Sequence, residues 1–307
     1  MVDFVGRNSG EPLDSFIDRV VNPGSTYVKR TKSVIHTVAE LMKSNSVDHR
    51  IGSTVKGGSL GKGTAVKYRA DADLLFVYTD ITSVEMLKSK LPDLLKELHS
   101  VLALSKHKVT TVKPTPYTIQ FTIKVKGRLN EVDLLPIIQL DTGDRSIETM
   151  KPIYDQMEAN EDLREFYFKC LAQLQVDFVK TKDEQIKRSI RLLKYWIKTQ
   201  KHVLKSYAAE LLVIKAYEEM SKPTTGKIQT LNLMKAVFTK LSDLKNLKVS
   251  WDTYYTPSSY YQPLPDPPYI LDPAFPYHNL TKQTSKGIDG KYVHLERDAK
   301  KFLANLK

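Results

Sequence analysis

The sequence predicts an α+β chain of two lobes, a mixed α/β N-terminal lobe with a central sheet over residues 1–155 and a helical C-terminal lobe over residues 156–307. Three observations predict it. A glycine-rich turn at Gly57-Gly58-Ser59 precedes the apolar run Leu74-Leu75-Phe76-Val77-Tyr78, whose length and composition suit a buried strand. Residues 117–126 alternate between apolar and polar, the period of a half-buried strand. Beyond about residue 155 the strand signals stop, and helical periodicity dominates through roughly residue 247.

Taken in order, Leu13 to Val21 and Tyr27 to Met42 read as two helices broken by Asn22-Pro23-Gly24, and this N-terminal helical region is expected to span both lobes. In the second helix Val34, Ile35, Val38, Leu41 and Met42 form the apolar stripe. Ser83 to Leu104 keeps a helical repeat through Leu87, Leu91, Leu94, Leu95 and Leu98, with Pro92 expected to divide it. Ile119, Phe121, Ile123 and Val125 face one way and Gln120, Thr122, Lys124 and Lys126 the other. Gly127-Arg128 then turns this strand into Leu129 to Leu135, a hairpin that ends at Pro136. The Pro- and Tyr-rich stretch from Tyr254 to Pro276 reads as an ordered surface crossing, and a short helix near Leu295 to Leu306 closes the chain.

With 307 residues the chain can bury a large core. Lys and Arg number 47 against 35 Asp and Glu, a net charge of +12 that points to a polyanionic partner, nucleic acid or nucleotide. Cys170 is the single cysteine, so neither an intramolecular disulfide nor a multi-thiolate zinc site can form. Its neighbours Phe166, Tyr167 and Leu171 mark it as a buried helical thiol, and a lone thiol fits a reducing compartment. The N-terminus carries no signal-peptide pattern and no run reaches transmembrane length, so no membrane is expected and the cytoplasm is the expected location, the nucleus being the alternative.

The stretch GGSLGKGT resembles a phosphate cradle but is not a Walker A loop. Gly57 is followed by three residues before Gly61-Lys62, and Gly63 stands where the metal-binding hydroxyl belongs. What remains is a turn, Gly57-Gly58-Ser59, able to present backbone N–H groups and one hydroxyl to a phosphate. Asp71 and Asp73 follow at i and i+2 on a strand start, on one face, where side-by-side carboxylates repel unless cations sit between them. Such a pair suits Mg²⁺. If the strand Glu131-Val132-Asp133-Leu134-Leu135 lies beside them, Asp133 adds a third carboxylate, as metal ligand or proton acceptor. Three convergent carboxylates beside a phosphate turn are what two-metal phosphoryl or nucleotidyl transfer requires. None of the seven histidines sits in a nucleophile or metal motif.

These residues resemble the DNA polymerase β-like nucleotidyltransferases: Gly57-Gly58-Ser59, Asp71-x-Asp73, then a distant strand aspartate. The fuller pattern is similar to the 2′-5′-oligoadenylate synthetases. It continues through Leu13-Asp14-x-Phe16-Ile17, Glu131-Val132-Asp133-Leu134-Leu135-Pro136, Ile190-Arg191-Leu192-Leu193-Lys194-Tyr195-Trp196, Tyr207-Ala208-x-Glu210-Leu211-Leu212 and Tyr269-Ile270-Leu271-Asp272-Pro273-Ala274. The resemblance covers nearly the whole chain in one order. It implies a bilobal nucleotidyltransferase fold and an enzyme that joins ATP into 2′-5′-linked oligoadenylates with release of pyrophosphate. Asp71, Asp73 and Asp133 would hold two Mg²⁺ ions, with Mn²⁺ a possible substitute. Gly58 and Ser59 would meet the donor triphosphate, Arg191 and Lys194 the nucleotide, and Tyr207 would lie near the donor base. Arg191 and Lys194 also share a helix face with Lys198, a basic stripe suited to a triphosphate.

The resemblance further implies activation by double-stranded RNA on a basic face, for which Lys32, Lys43, Lys56, Lys62, Lys180 and Lys182 are the candidates. Two departures stand out. Ser206 replaces the family's base-contacting glutamine, which opens donor-base selectivity. Val176, Glu184 and Gln185, on the helix leading into Arg191, stand where vertebrate members carry basic and hydroxyl residues. They remove phosphate-seeking groups and add a repelling charge, so RNA binds in a shifted way or matters less. The lone cysteine excludes the multi-cysteine zinc insertion of the DNA-sensing cyclic GMP-AMP synthases. A cyclic dinucleotide synthase of the same superfamily and a catalytically silent RNA-binding module are the alternatives. Retention of all three acids ranks the silent module last.

Overall fold

The computed structural model describes residues 4–46, 48–67, 72–141, 143–221, 228–281 and 288–305, apart from the side chains at 111 and 288–291. In chain order the first elements are α1 (Leu13–Phe16), which runs into a π-helical turn over Ile17–Val21, then α2 (Ser25–Asn45), β1 (Ile51–Lys56), α3 (Gly58–Lys62) and β2 (Ala72–Tyr78). They are followed by α4 (Val84–Ala103), β3 (Val109–Pro114), β4 (Ile119–Val125), β5 (Arg128–Ile137), α5 (Ile147–Ala159), α6 (Arg164–Cys170) and α7 (Ala172–Lys180). The remainder comprises α8 (Glu184–Thr199), α9 (Ser206–Ser221), α10 (Thr230–Leu241), β6 (Lys248–Val249), α11 (Pro257–Tyr260), β7 (Tyr269–Ile270) and α12 (Ile288–Asn305).

The chain divides into two compact units. One is Pro23–Gly63 with Tyr68–Lys180; the other is Met1–Asn22, Thr64–Lys67 and Thr181–Lys307. The break falls at 180/181, not at the expected 155/156, because α6 packs against α4 and β5 and so keeps α5 to α7 with the sheet. The N-terminal helical region divides too: residues 13–21 belong to the helical unit and α2 to the sheet unit.

The sheet unit is built on five strands in the order β1-β2-β5-β4-β3, with β2 and β5 parallel and the other pairs antiparallel. The alternation in β4 is realised: Ile119, Phe121, Ile123 and Val125 are buried while Gln120 and Lys124 are exposed. β2 is apolar on both faces, and Leu74, Leu75, Phe76, Val77 and Tyr78 are all buried, as a central strand requires. The stripes of α2 (Val34, Ile35, Val38, Met42) and α4 (Leu87, Leu91, Leu94, Leu98) are buried, and both helices contact the sheet.

Contrary to expectation, Pro92 lies within one continuous α4. Pro92 and Lys88 are both exposed, so the carbonyl that loses its helical partner at i−4 can turn to water. The hairpin strand also runs on through Pro136 to Ile137. β1 and β3, which lack a clear apolar–polar alternation, form the two edges of the sheet.

In the helical unit Trp196 packs edge-on against Phe238, ring centroids 4.8 Å apart, and Phe238 stacks on Phe302 at 4.4 Å. The expected surface crossing is only half superficial. β7 pairs in parallel with β6, and residues 269–276 are buried throughout. Cys170 is buried at the end of α6, where burial pushes its thiol up to about 12. Among the described residues no helix is long and apolar enough to cross a membrane.

Candidate active site

Two of the three expected metal carboxylates stand on neighbouring strands. β2 and β5 run parallel with Asp73 opposite Asp133. Strands in one sheet lie about 4.8 Å apart, so carboxylates at facing positions repel unless a cation or a proton intervenes. Both residues are only partly buried, within reach of a ligand. On the far side of Asp133, Gln120 of β4 is its antiparallel partner, and its Nε2 donates to Asp133 Oδ2 at 3.2 Å. The third acid, Asp71, lies outside the described residues. Among the described residues no group of three or more His, Cys, Asp or Glu side chains gathers around one point. The paired oxygen donors Asp73 and Asp133 fit a hard divalent cation such as Mg²⁺.

The glycine turn fits against the same strand. The Gly57 N–H donates to the Asp73 carbonyl at 2.8 Å. Gly58 has φ +51, and a Cβ there would lie 1.6 Å from Asp73 Oδ2. Only glycine permits both that conformation and that approach. Ser59 follows within α3 and is partly exposed. The turn and Asp73 are therefore one packed feature.

The helical unit holds the predicted nucleotide cations, and they are not solvated. Arg191 and Lys194 are each 5% exposed. Arg191 Nε donates to Asn22 Oδ1 at 2.7 Å, and its guanidinium pairs with Glu184. Glu184, one of the departures from the vertebrate pattern, thus neutralises Arg191. It opens α8 and is not on one continuous helix with Val176, which belongs to α7. Lys194 Nζ donates to Glu210 Oε1 at 2.9 Å and to the Thr64 carbonyl at 3.1 Å, while Thr64 Oγ1 donates to the same Glu210 oxygen at 2.6 Å. Tyr207, in the first turn of α9, is partly exposed and donates its hydroxyl to Asp272 Oδ1 at 3.1 Å.

The six candidate RNA lysines scatter. Lys32, Lys56 and Lys180 are exposed and line one 520 Å³ cleft of the sheet unit, floored by Ile35, Val55 and Val176. Lys43 is exposed near the end of α2 but is not part of that cleft. Lys62 is 7% exposed, because α3 packs against α7, and so offers a nucleic-acid backbone no surface in this conformation. Lys182, of the helical unit, is half-buried and pairs with Glu218 at 3.1 Å.

Sequence reasoning assigned no role to Gln120 or Glu210. Gln120 was legible as a polar-face residue of the alternating strand, but its partner Asp133 depends on register. Glu210 was visible as a lone carboxylate in the apolar run Ala208 to Ile214, where burial demands a cation.

The family description "2′-5′-oligoadenylate synthetase 1, domain 2, C-terminus" matches residues 148–306, just over half of the chain. The chain is 29% identical over 297 residues to 2′-5′-oligoadenylate synthase 2 of Mus musculus, covering 86% of this chain and 40% of that protein. It is 27% identical over 310 residues to 2′-5′-oligoadenylate synthase 1A of Rattus norvegicus, covering 90% of this chain and 85% of that protein. The chain therefore spans less than half of some curated relatives and most of others. Among solved structures, E. coli CdnC in a HORMA complex matches with TM-score 0.67 at 18% identity, covering 96% of this chain and 89% of that one. The Cid1 poly(U) polymerase bound to MgATP matches with TM-score 0.63 at 13% identity, covering 95% and 92%. These two likenesses carry the fold, a nucleotidyltransferase fold.

Proposed function

The chain belongs to the 2′-5′-oligoadenylate synthetase family, and from that premise we propose that it joins ATP into 2′-5′-linked oligoadenylates with release of pyrophosphate. The observation that carries the reading is the register of Asp73 against Asp133 beside the Gly58 turn. Asp71, Asp73 and Asp133 are the residues that would hold Mg²⁺, with Mn²⁺ as the substitute. The bound metal supplies charge for the triphosphate and lowers the pKa of the attacking hydroxyl. In the transfer, a 2′-hydroxyl oxygen bonds to the α-phosphorus of the donor ATP, the bond from that phosphorus to the bridging oxygen breaks, and pyrophosphate leaves. Asp133 is the assigned acceptor of the hydroxyl proton. Gln120 holds one oxygen of that carboxylate and so orients it.

Gly58 and Ser59 are assigned to the donor phosphates, Arg191 and Lys194 to nucleotide phosphate charge, and Tyr207 to the donor base. A phosphate that meets Lys194 shares it with Glu210, and one that meets Arg191 shares it with Glu184. Double-stranded RNA is the proposed activator, at the cleft of Lys32, Lys56 and Lys180, and the family's antiviral role is the proposed context. A cytoplasmic site of action fits the lone, buried thiol.

The test incubates the purified chain and Mg²⁺ with ATP, with GTP and with both, each with and without double-stranded RNA. Products are then digested with a nuclease that cuts only 3′-5′ bonds. Resistant oligomers from ATP alone support the synthetase. A mixed cyclic product assigns the chain to cyclic dinucleotide synthesis, and no product under any condition makes it a silent RNA-binding module.

A further inference from the structure

The outer strands of the sheet unit carry an open face that the assigned chemistry leaves unused. Ile119, Phe121, Ile123 and Val125 turn one face of β4 inward, and α4 contacts β3, β4 and β5. On the opposite face Lys113 of β3, Gln120 and Lys124 of β4, and Leu129 and Glu131 of β5 are exposed, while Thr110 and Thr122 are partly exposed. Register fixes their order, since residues paired across strands point to the same face. Asp73 pairs with Asp133, Asp133 with Gln120, and Gln120 with Lys113. The neighbouring row sets Glu131 against Thr122 and Thr122 against Thr110, and further along β4 Lys124 faces Leu129.

Charge divides this face in two. The carboxylates Asp73, Asp133 and Glu131 stand on β2 and β5, whereas β3 and β4 hold no acid and present Lys113 and Lys124 to the same open side. Lys108, just before β3, and Lys126, just after β4, are exposed as well. Divalent cations suit the acidic half, and phosphates suit the basic half. At the backbone, two strand spacings put Lys113 about 10 Å from Asp133, and Lys124 lies about 13 Å along β4 from Gln120. Leu129, 61% exposed and directly opposite Lys124, offers an apolar surface to a base. Two lysines and an aliphatic side chain bind phosphate and apolar surface without reading base identity.

We infer that the open face of β3 and β4 is a track for the single-stranded part of a growing oligonucleotide. With its reacting end at Asp73 and Asp133, the strand lays its earlier phosphates over Lys113 and Lys124. Holding the strand between additions then sets product length. The inference rests on the reading of this chain as an ATP-polymerising nucleotidyltransferase and adds where its product lies. The occupant is a single strand because the basic half runs without a break from the carboxylate pair, which only a chain end can enter. The cleft of Lys32, Lys56 and Lys180, proposed for double-stranded RNA, includes no residue of β3 or β4.

The test follows the fluorescence anisotropy of a labelled single-stranded adenylate tetramer, across a salt series and without ATP, for the wild-type chain, Lys113→Glu, Lys124→Glu and Lys88→Glu. Lys88 is exposed on α4 and controls for net charge; circular dichroism checks folding, which substitutions at exposed positions should leave intact. Each track variant is expected to weaken tetramer binding about tenfold at low salt, the scale of a lost contact to a charged group. Each should also lower the magnitude of the slope of log affinity against log salt by about 0.7 per lost phosphate contact. With ATP and Mg²⁺, both should form the dinucleotide at the wild-type rate and a product ladder that ends earlier. Unchanged affinity and slope in either folded track variant overturns the inference, as does an equal loss in Lys88→Glu or a ladder of wild-type length. Duplex RNA binding that depends on Lys113 and Lys124 more than tetramer binding does overturns it too. A chain whose tetramer binding obeys these lysines but that makes no oligoadenylate sinks the proposed activity and leaves the binding surface standing. A chain that makes oligoadenylates yet binds no tetramer sinks the track alone.

Discussion

Lys194 and Glu210 form a buried ion pair, Nζ to Oε1 at 2.9 Å, with side chains 5% and 2% exposed. The pair also binds Thr64 through its carbonyl and hydroxyl, so three separate chain segments meet on two opposite charges. Removing one partner strands the other in a dry interior. Lys194→Met and Glu210→Leu are each expected to cost about 3–5 kcal/mol, read as denaturant midpoints at constant m-value. The double variant should recover most of that loss. A single variant as stable as the wild type would sink this account.

Asp73→Asn and Asp133→Asn act on chemistry and not on the fold. Each removes one of two facing like charges, so without metal the melting temperature should hold or rise. Turnover should fall about 10³-fold, several kcal/mol of lost transition-state stabilisation. The rise in melting temperature that Mg²⁺ gives the wild type should vanish in both variants. An Asp73→Asn enzyme with near-normal turnover refutes the metal assignment.

Gly58→Ala tests the packing of the turn on the acid. A methyl group at Gly58 meets Asp73 Oδ2 at a φ of +51, so the carboxylate must swing away or the turn must open. Stability should drop by about 1–2 kcal/mol from the left-handed conformation alone, and turnover should fall far more than that stability change explains. Gly127→Ala, at a hairpin turn with nothing within 4 Å of its added Cβ, should share the stability loss and keep the turnover.

Alkaline titration has a defined direction. Burial pushes the Cys170 thiol up to about 12 and, with the Asp272 charge, the Tyr261 phenol up to about 12, and it raises Tyr78 and Tyr207 as well. These groups ionise more readily in the unfolded chain, near pH 8.5 for thiols and near pH 10 for phenols. The stability they contribute is therefore complete below those values and is lost as pH rises towards 12. Tyrosinate absorbance should show one fraction titrating near pH 10 and a second appearing together with unfolding. Thiol reagents at pH 8 should leave Cys170 untouched until denaturant is added.

Double-stranded RNA binding should depend on the cleft lysines. Lys32→Glu, Lys56→Glu and Lys180→Glu are each expected to lower the magnitude of the slope of log affinity against log salt by about 0.9 per lost phosphate contact. Lys62→Gln should leave the slope alone and alter stability instead, since that side chain is buried. Equal slopes for wild type and cleft variants would exclude this face.

Much of the sheet unit was legible in sequence because its signals are local. The alternation of β4, the apolar run of β2 and the stripes of α2 and α4 each need only near neighbours to be read. β1 and β3 were not legible, since each takes its conformation from the strand beside it. The Pro- and Tyr-rich tail misled because prolines suggest a surface crossing, whereas residues 269–276 are interior and supply the carboxylate that holds Tyr207. The basic stripe of α8 read as a face suited to a triphosphate, whereas Arg191 and Lys194 are buried and paired with Glu184 of the same helix and Glu210 of α9.

By itself the sequence determined which chemistry was available: hard oxygen ligands, a turn that only glycine can make, cations at helical spacing and one inert thiol. Residue type and spacing decide these, and they need no partner. The tertiary structure alone decided who meets whom. It set Asp73 across from Asp133, Gly58 against Asp73, Glu210 on Lys194 and Asp272 on Tyr207. Strand register and burial are properties of pairs far apart in the chain. The energy that fixes them, a buried charge finding its counter-charge or a carboxylate its donors, exists only once the chain has brought them together.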